Sequence, residues 1–267
     1  MTTGTKKSGS AERWGPLWGA RAQDWAQIEE QQTPTYQAAL RRVNVQEGQR
    51  VLDIGCGTGV FLSLAAARGA EVFGFDASES LLAVARRRLP KADLRAGDMQ
   101  SLPYDDSFFD IVAGFNSFFY AADMVGALRE AGRVAKPGAP VVIQVWGAPE
   151  RCNLDALKRA VGRLLPPPDP NAPPPPKLWE PGVLEGIAEA AGLTPDYAFD
   201  SGWAFQFPDS ESLLQAMLAP GVVMEAINAV GEAPVREAIV EALAPYRNPE
   251  GGYRLENEWR YLVARAL

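Results

Sequence analysis

The strongest constraint on the fold is a rhythm. Between Arg50 and Trp146, five short apolar runs alternate with stretches of helical periodicity. The runs are Arg50–Ile54, Glu71–Asp76, 92–97, 109–115 and Pro140–Trp146. The helical stretches are 60–68, 80–89 and 124–135, and each ends at a breaker: Gly69, Pro90 and Lys136-Pro137-Gly138. Strands this continuously apolar are buried on both faces. The spacing therefore predicts a mostly parallel, doubly wound α/β sheet with helices on both sides.

Around this unit the pattern is looser. Residues 1–12 are Thr/Ser/Gly/Lys-rich and read as a disordered tail. Residues 13–42 form an amphipathic helical segment in which Pro34 breaks or restarts a helix. The chain from 13 to 267 reads as a single domain. Eight prolines crowd positions 166–176, so 165–178 is expected to be an extended loop. A helix over 181–191 and a strand over 197–207 follow. Residues 210–244 read as two helices interrupted near 231–234, inside a 208–250 insertion that can cap the pocket. A last strand is expected within 253–267.

In a sheet of this kind, ligands bind beyond the carboxyl ends of the strands. The first strand runs into Gly55, Cys56, Gly57, Thr58 and Gly59. This is not a P-loop, because no Gly-Lys-Ser/Thr follows. Nor is it the dinucleotide fingerprint, because Val60 occupies the third glycine's place. Taken alone, such a loop is equally a tight turn. Asp53, at the strand end, argues against phosphate and suits a cationic group such as an α-ammonium. Asp76 ends the second strand and can accept both hydroxyls of a ribose, or can cap the next helix with Ser78. Asp98 follows the third strand, where it can accept from an exocyclic amine such as adenine N6 or act as a turn residue. Met99 beside it can lie on the adenine plane.

Taken together, five blocks resemble the class I S-adenosylmethionine (SAM)-dependent methyltransferase family, in its small-molecule, ubiquinone-biosynthesis-like branch. They are 51–59 (VLDIGCGTG), 72–77 (VFGFDA), 97–103 (GDMQSLP), 108–112 (FFDIV) and 130–138 (EAGRVAKPG). The resemblance is good over about 30–150 and weaker beyond. It implies a Rossmann-like seven-stranded sheet, mostly parallel with a C-terminal antiparallel strand, plus helical cap elements. It also implies SAM as cofactor and S-adenosylhomocysteine as product. Asp53, Gly55, Cys56, Gly57 and Gly59 would line the methionine end. Asp76 and Ala77 would hold the ribose, Asp98 and Met99 the adenine, and Phe115 would complete the cofactor wall. Residues 114–120 (GFNSFFY) lack the Asn/Asp-Pro-Pro-aromatic pattern of many amino-methylating enzymes, which counts against DNA-base and glutamine substrates.

The chain contains no histidine, which excludes a His-based triad, a His-ligated zinc and a His base. Methyl transfer from a sulfonium needs positioning more than a base, so the two are compatible. Asn116 is the expected polar residue near the reacting centre, and Tyr120 the candidate base. Trp14, Trp18, Phe119, Trp146 and Trp203 are expected to wall a pocket for a small, partly apolar acceptor, with plain core packing as the competing role for the phenylalanines. No metal is expected. A net charge of −7 disfavours nucleic acid. Two cysteines without a pairing framework, and no apolar stretch near the ~20 residues of a membrane span, suggest a cytoplasmic protein. Two other classes share these features: a non-catalytic SAM-binding sensor or scaffold, and, against the missing third glycine, an NAD-dependent oxidoreductase.

Overall fold

The computed structural model describes residues 9–167, 169–171 and 173–267. Three helices come first: α1 (Ser10–Gly19), α2 (Ala22–Gln31) and α3 (Thr33–Val43). The sheet unit follows as β1 (Arg50–Ile54), α4 (Val60–Ala66), β2 (Glu71–Asp76), α5 (Glu79–Arg88), β3 (Asp93–Ala96), β4 (Ile111–Phe115), α6 (Met124–Val134) and β5 (Pro140–Trp146). The chain closes with α7 (Leu154–Gly162), α8 (Val183–Ala190), β6 (Thr194–Phe207), α9 (Ser210–Met217), α10 (Gly221–Val230), α11 (Glu232–Leu243) and β7 (Tyr253–Arg265).

The seven strands form one sheet in the order β3-β2-β1-β4-β5-β7-β6. The first five are parallel, and β7 runs antiparallel to both β5 and β6. The chain order reverses between β1 and β4, and this is the position at which an open α/β sheet leaves a crevice for ligands.

Each strand's alternation divides the core. Leu52 and Ile54 of β1 belong to the apolar cluster that α6 and α8 complete with Leu128, Ala131, Leu184 and Ala188. Val51 belongs to the opposite cluster, built by α3, α4, α7 and the α9–α11 group. By the period of two, Asp53 shares the face of Val51 and looks toward the helices that close the site.

Several expectations need correction. The tail expected to be disordered over 1–12 is helical from Ser10, because α1 packs against α5 and α10 and is held by Asp98; residues 1–8 lie outside the described residues. The strand expected over 109–115 begins at Ile111. Phe109 makes only an isolated bridge to Ala135, since its N–H bonds to Val134 at the end of α6. The helical stretch 210–244 holds three helices rather than two. Its extra break falls at Leu218–Pro220, where the proline restricts the residue before it and the two flanking helices meet at 90°. Gly231 makes the expected second break with φ +86°, while Pro234 is tolerated in the first turn of α11. Helix α7 lies in a stretch to which the sequence reading assigned no element. Pro168 and Ala172, within the proline-rich loop, lie outside the described residues. Among those residues no single helix is long and apolar enough to cross a membrane.

Candidate functional site

The loop after β1 is drawn tight against β2: the N–H groups of Gly55 and Cys56 both donate to the Phe75 carbonyl, at 2.7 and 3.2 Å. Gly55, Gly57 and Gly59 take φ values of +80°, +54° and +81°, in the left-handed region that favours glycine. At Gly57 space adds a second requirement. A Cβ there would stand 2.7 Å from a carboxylate oxygen of Glu29.

Glu29 was not anticipated, and it organises the loop. It comes from α2, is 3% exposed, and accepts from the Thr58 N–H (2.8 Å), the Thr58 hydroxyl (2.9 Å) and the Val60 N–H (3.2 Å). These are the free amides at the start of α4, where the helix dipole is positive. In dinucleotide-binding folds this position takes a phosphate; here a side chain of the protein fills it. A signal for Glu29 was present in the sequence: Trp25, Ile28, Glu29, Gln32 and Tyr36 follow one helical stripe, and all five line the same cavity.

Two further carboxylates meet it. Asp76 accepts from Gly57 N–H (2.9 Å) through one oxygen and from Ser78 N–H (2.8 Å) through the other. Each oxygen keeps acceptor capacity for a ligand hydroxyl. Asp53 is 3% exposed, and its Oδ1 is buried without a hydrogen-bond partner. Burial, then the charges of Glu29 and Asp76, pushes the Asp53 carboxyl well above the ordinary range. Burial also raises Glu29 and Asp76, although their backbone donors oppose it. The loop is thus rimmed by three buried carboxyl groups, with Arg88 acting on Glu29.

On the α1 side, Asp98 does not reach the main cavity. Its Oδ2 accepts from the Ser10 hydroxyl (3.0 Å) and the Ala11 N–H (3.1 Å), capping the first turn of α1, and its Oδ1 accepts from Gln100 N–H. Helix α1 then runs across the strand ends. Its backbone approaches so closely at Gly15 that a Cβ would lie 2.4 Å from the Ala77 carbonyl oxygen. Trp14 and Trp18 meet the Tyr120 ring edge-on, at centroid distances of 4.7 and 5.6 Å. Burial raises the Tyr120 phenol above its ordinary range, and Tyr120 lines the cavity. Met99 lines both the main cavity and a small one beside it.

The main cavity measures about 170 Å³. It brings together Asp53, Gly55, Cys56, Gly57, Asp76, Ala77, Met99 and Phe115 with Trp14, Trp18, Asn116, Tyr120 and Trp146. Asn116 sits at φ +51°, uncommon for a residue with a side chain. Its Nδ2 donates to Gln144 Oε1 (3.2 Å), and its Oδ1 is buried without a partner. Residues nearer the C-terminus complete the wall beyond Trp146: Leu154, Leu157, Lys158, Phe205, Met217, Pro220 and Val222.

Four expected residues lie elsewhere. Gly59 begins α4 and packs on Ala85 and Leu89. Asp98 holds α1. Phe119 packs behind Tyr120 in the second core cluster. Trp203 is 41% exposed on β6, the edge strand of the sheet, because alternation along an edge strand does not say which face is inward.

With this geometry in place, comparison with known proteins becomes informative. Residues 52–143 match the model of a family described as "Methyltransferase domain". A demethylmenaquinone methyltransferase from Halalkalibacterium halodurans is 39% identical over 111 residues, covering 39% of this chain and 45% of that protein. The chain thus spans about half the length of the curated relatives it matches. Among solved structures, the YcgJ protein from Bacillus subtilis superposes with a TM-score of 0.58 at 19% identity, over 86% of this chain and 97% of that one. The [4+2]-cyclase SpnF superposes at 0.54 with 21% identity, over 87% and 80%. These two likenesses concern the fold.

Proposed function

We propose, from the match of residues 52–143 to a methyltransferase-domain family, that this chain is a SAM-dependent methyltransferase transferring a methyl group to a small, partly apolar acceptor in the cytoplasm. The observation that carries this reading is the convergence of Glu29, Asp53 and Asp76 on the glycine loop, with Asp53 Oδ1 buried and unpartnered. Such a site selects a ligand that is cationic at one end and carries adjacent hydroxyls. SAM has an α-ammonium, a sulfonium and a ribose, so the residues present fit it.

Asp53 would accept from the ammonium and Asp76 from the ribose hydroxyls. When bound, SAM supplies a methyl group already activated on sulfur. The chain's own contribution is placement and dryness. Phe115, Trp146 and Phe205 exclude water, and aromatic faces near a sulfonium favour its charge. Asn116 offers its unpartnered carbonyl oxygen at the end of β4, where an acceptor N–H or O–H can be oriented. No buried side chain here needs to act as a base for direct displacement.

Isothermal titration with SAM tests the first half of the proposal. Saturable binding is expected, and no binding at low-millimolar SAM sinks it. The oxidoreductase reading is disfavoured by Glu29, whose carboxylate fills the place of a dinucleotide's phosphate. A thermal shift with SAM and none with NAD is the matching expectation. Because the fold is shared by a chain named as a cyclase, transfer itself must be read from labelled product. Demethylmenaquinone, from which the curated relatives take their name, is one acceptor to assay. The family match ends at residue 143, before Trp146, Lys158, Phe205 and Met217 of the cavity wall.

A further inference from the structure

The cavity has two ends of opposite chemistry. The glycine-loop end carries three carboxylates. Among the described residues, the only basic side chain lining the cavity is Lys158, on α7. It shares one helix face with Leu154 and Leu157, at the i, i+3, i+4 spacing that brings all three to the same cavity. Trp146 of β5, Phe205 of β6 and Met217 of α9 line the same cavity.

Lys158 makes no ion pair among the described residues. The nearest acid on its own helix, Asp155, is paired with Arg159. Glu258 on β7 is paired with Arg151. What Lys158 does have is the indole of Trp146, with Nζ 4.2 Å from the ring centroid. Its side chain is exposed, with the apolar lining of the cavity on one side drawing its ammonium down to about 8. The titratable groups that act on it are Cys152 and Asp155. Among the described residues no carboxylate forms an ion pair with this exposed cation, and Asp155 and Glu258 are each held by an arginine. An anionic ligand group would supply a counter-charge.

We propose that Lys158 is the residue that selects the acceptor: it binds an anionic oxygen, as of a carboxylate, at one end of an otherwise apolar molecule. The body of that molecule lies against Trp146, Leu157, Phe205 and Met217. This inference rests on the methyltransferase reading for the second occupant of the cavity and adds the chemical class of the acceptor to it. Every residue named here lies beyond the family match, which ends at residue 143. A charged hydrogen bond at a site walled by apolar side chains discriminates against a neutral isostere by at least about tenfold.

The test uses the full chain loaded with S-adenosylhomocysteine, titrated calorimetrically with 2-naphthoate and with its neutral isostere 2-naphthamide. The wild type is expected to prefer the naphthoate by about tenfold or more. Lys158→Met should abolish that preference while leaving naphthamide affinity and S-adenosylhomocysteine affinity unchanged. Lys158→Arg should retain it. Equal affinity of the two probes for the wild type, no binding of naphthoate, or an undiminished preference in Lys158→Met each overturns the inference. The cofactor titration separates the two levels. If S-adenosylhomocysteine does not bind the wild type, the methyltransferase reading falls; if it binds and the naphthoate preference is missing, only the role of Lys158 falls.

Discussion

The carboxylate of Glu29 accepts both the backbone N–H and the hydroxyl of Thr58, at 2.8 and 2.9 Å, and so ties the N-terminal helices to the first turn after the glycine loop. One acidic side chain thereby closes off a phosphate-binding position and fixes the loop that faces the ligand.

Glu29→Ala should therefore destabilise the protein. It strands the Thr58 and Val60 amides in a buried setting, at a cost of roughly 1–3 kcal/mol per unpaired group. A urea midpoint shift with unchanged slope is the expected result. A stability within about 0.5 kcal/mol of wild type contradicts the assignment.

Asp53 trades stability for binding. Its folded-state pKa is raised, so the stability it contributes is fully present below the ordinary carboxylate range near ~4 and is lost as pH rises through the raised value. A cationic ligand prefers the ionised form, so its affinity rises over that same window. Two consequences can be measured. The thermal shift produced by SAM should grow as pH rises through that window, and Asp53→Asn should stabilise the free protein, by about 1 kcal/mol, while weakening SAM. A shift that shrinks as pH rises contradicts this account.

Asp98 and α1 behave as a unit. Asp98→Ala removes the acceptor of Ser10 and Ala11, a cap worth about 1 kcal/mol. Amide exchange over residues 10–19 should accelerate by about fivefold or more, with the sheet unchanged. Unaltered exchange in α1 would show that its docking depends on the tryptophan contacts and not on Asp98.

Two of the four tryptophans expected in one pocket, Trp203 and Trp146, should separate experimentally. Trp203→Ala, exposed on β6, should leave stability within about 0.5 kcal/mol and acceptor affinity unchanged. Trp146→Ala removes the ring under Lys158 and a wall of the cavity, and should weaken acceptor binding measurably in the same titration.

The sheet unit was legible because its signals are local. The apolar runs of β1, β2 and β5 end at charged or glycine residues, and Pro137-Gly138 stops α6 at a fixed place. The cofactor end was legible for the same reason, since Asp53, Gly55, Gly57 and Asp76 lie at or just beyond the ends of β1 and β2. The rest depends on contacts distant in sequence. Asp98 and Ser10 are 88 positions apart, and nothing near either residue says that one caps the other. Glu29 and Glu30 are neighbours in one helix, and only the stripe from Trp25 to Tyr36 distinguishes the buried one from its exposed neighbour. Lys158 acquires a role only once β5, β6 and α9 have assembled around it.

The central claim is that buried acidity around the glycine loop is a site for SAM. It is tested most directly by calorimetric titration of SAM into the wild type and into Asp53→Asn at neutral pH. The account predicts saturable one-site binding to the wild type and a loss of about tenfold or more in the variant, because a buried charged acceptor is gone. Equal affinity in the two proteins, or no binding to either, contradicts it.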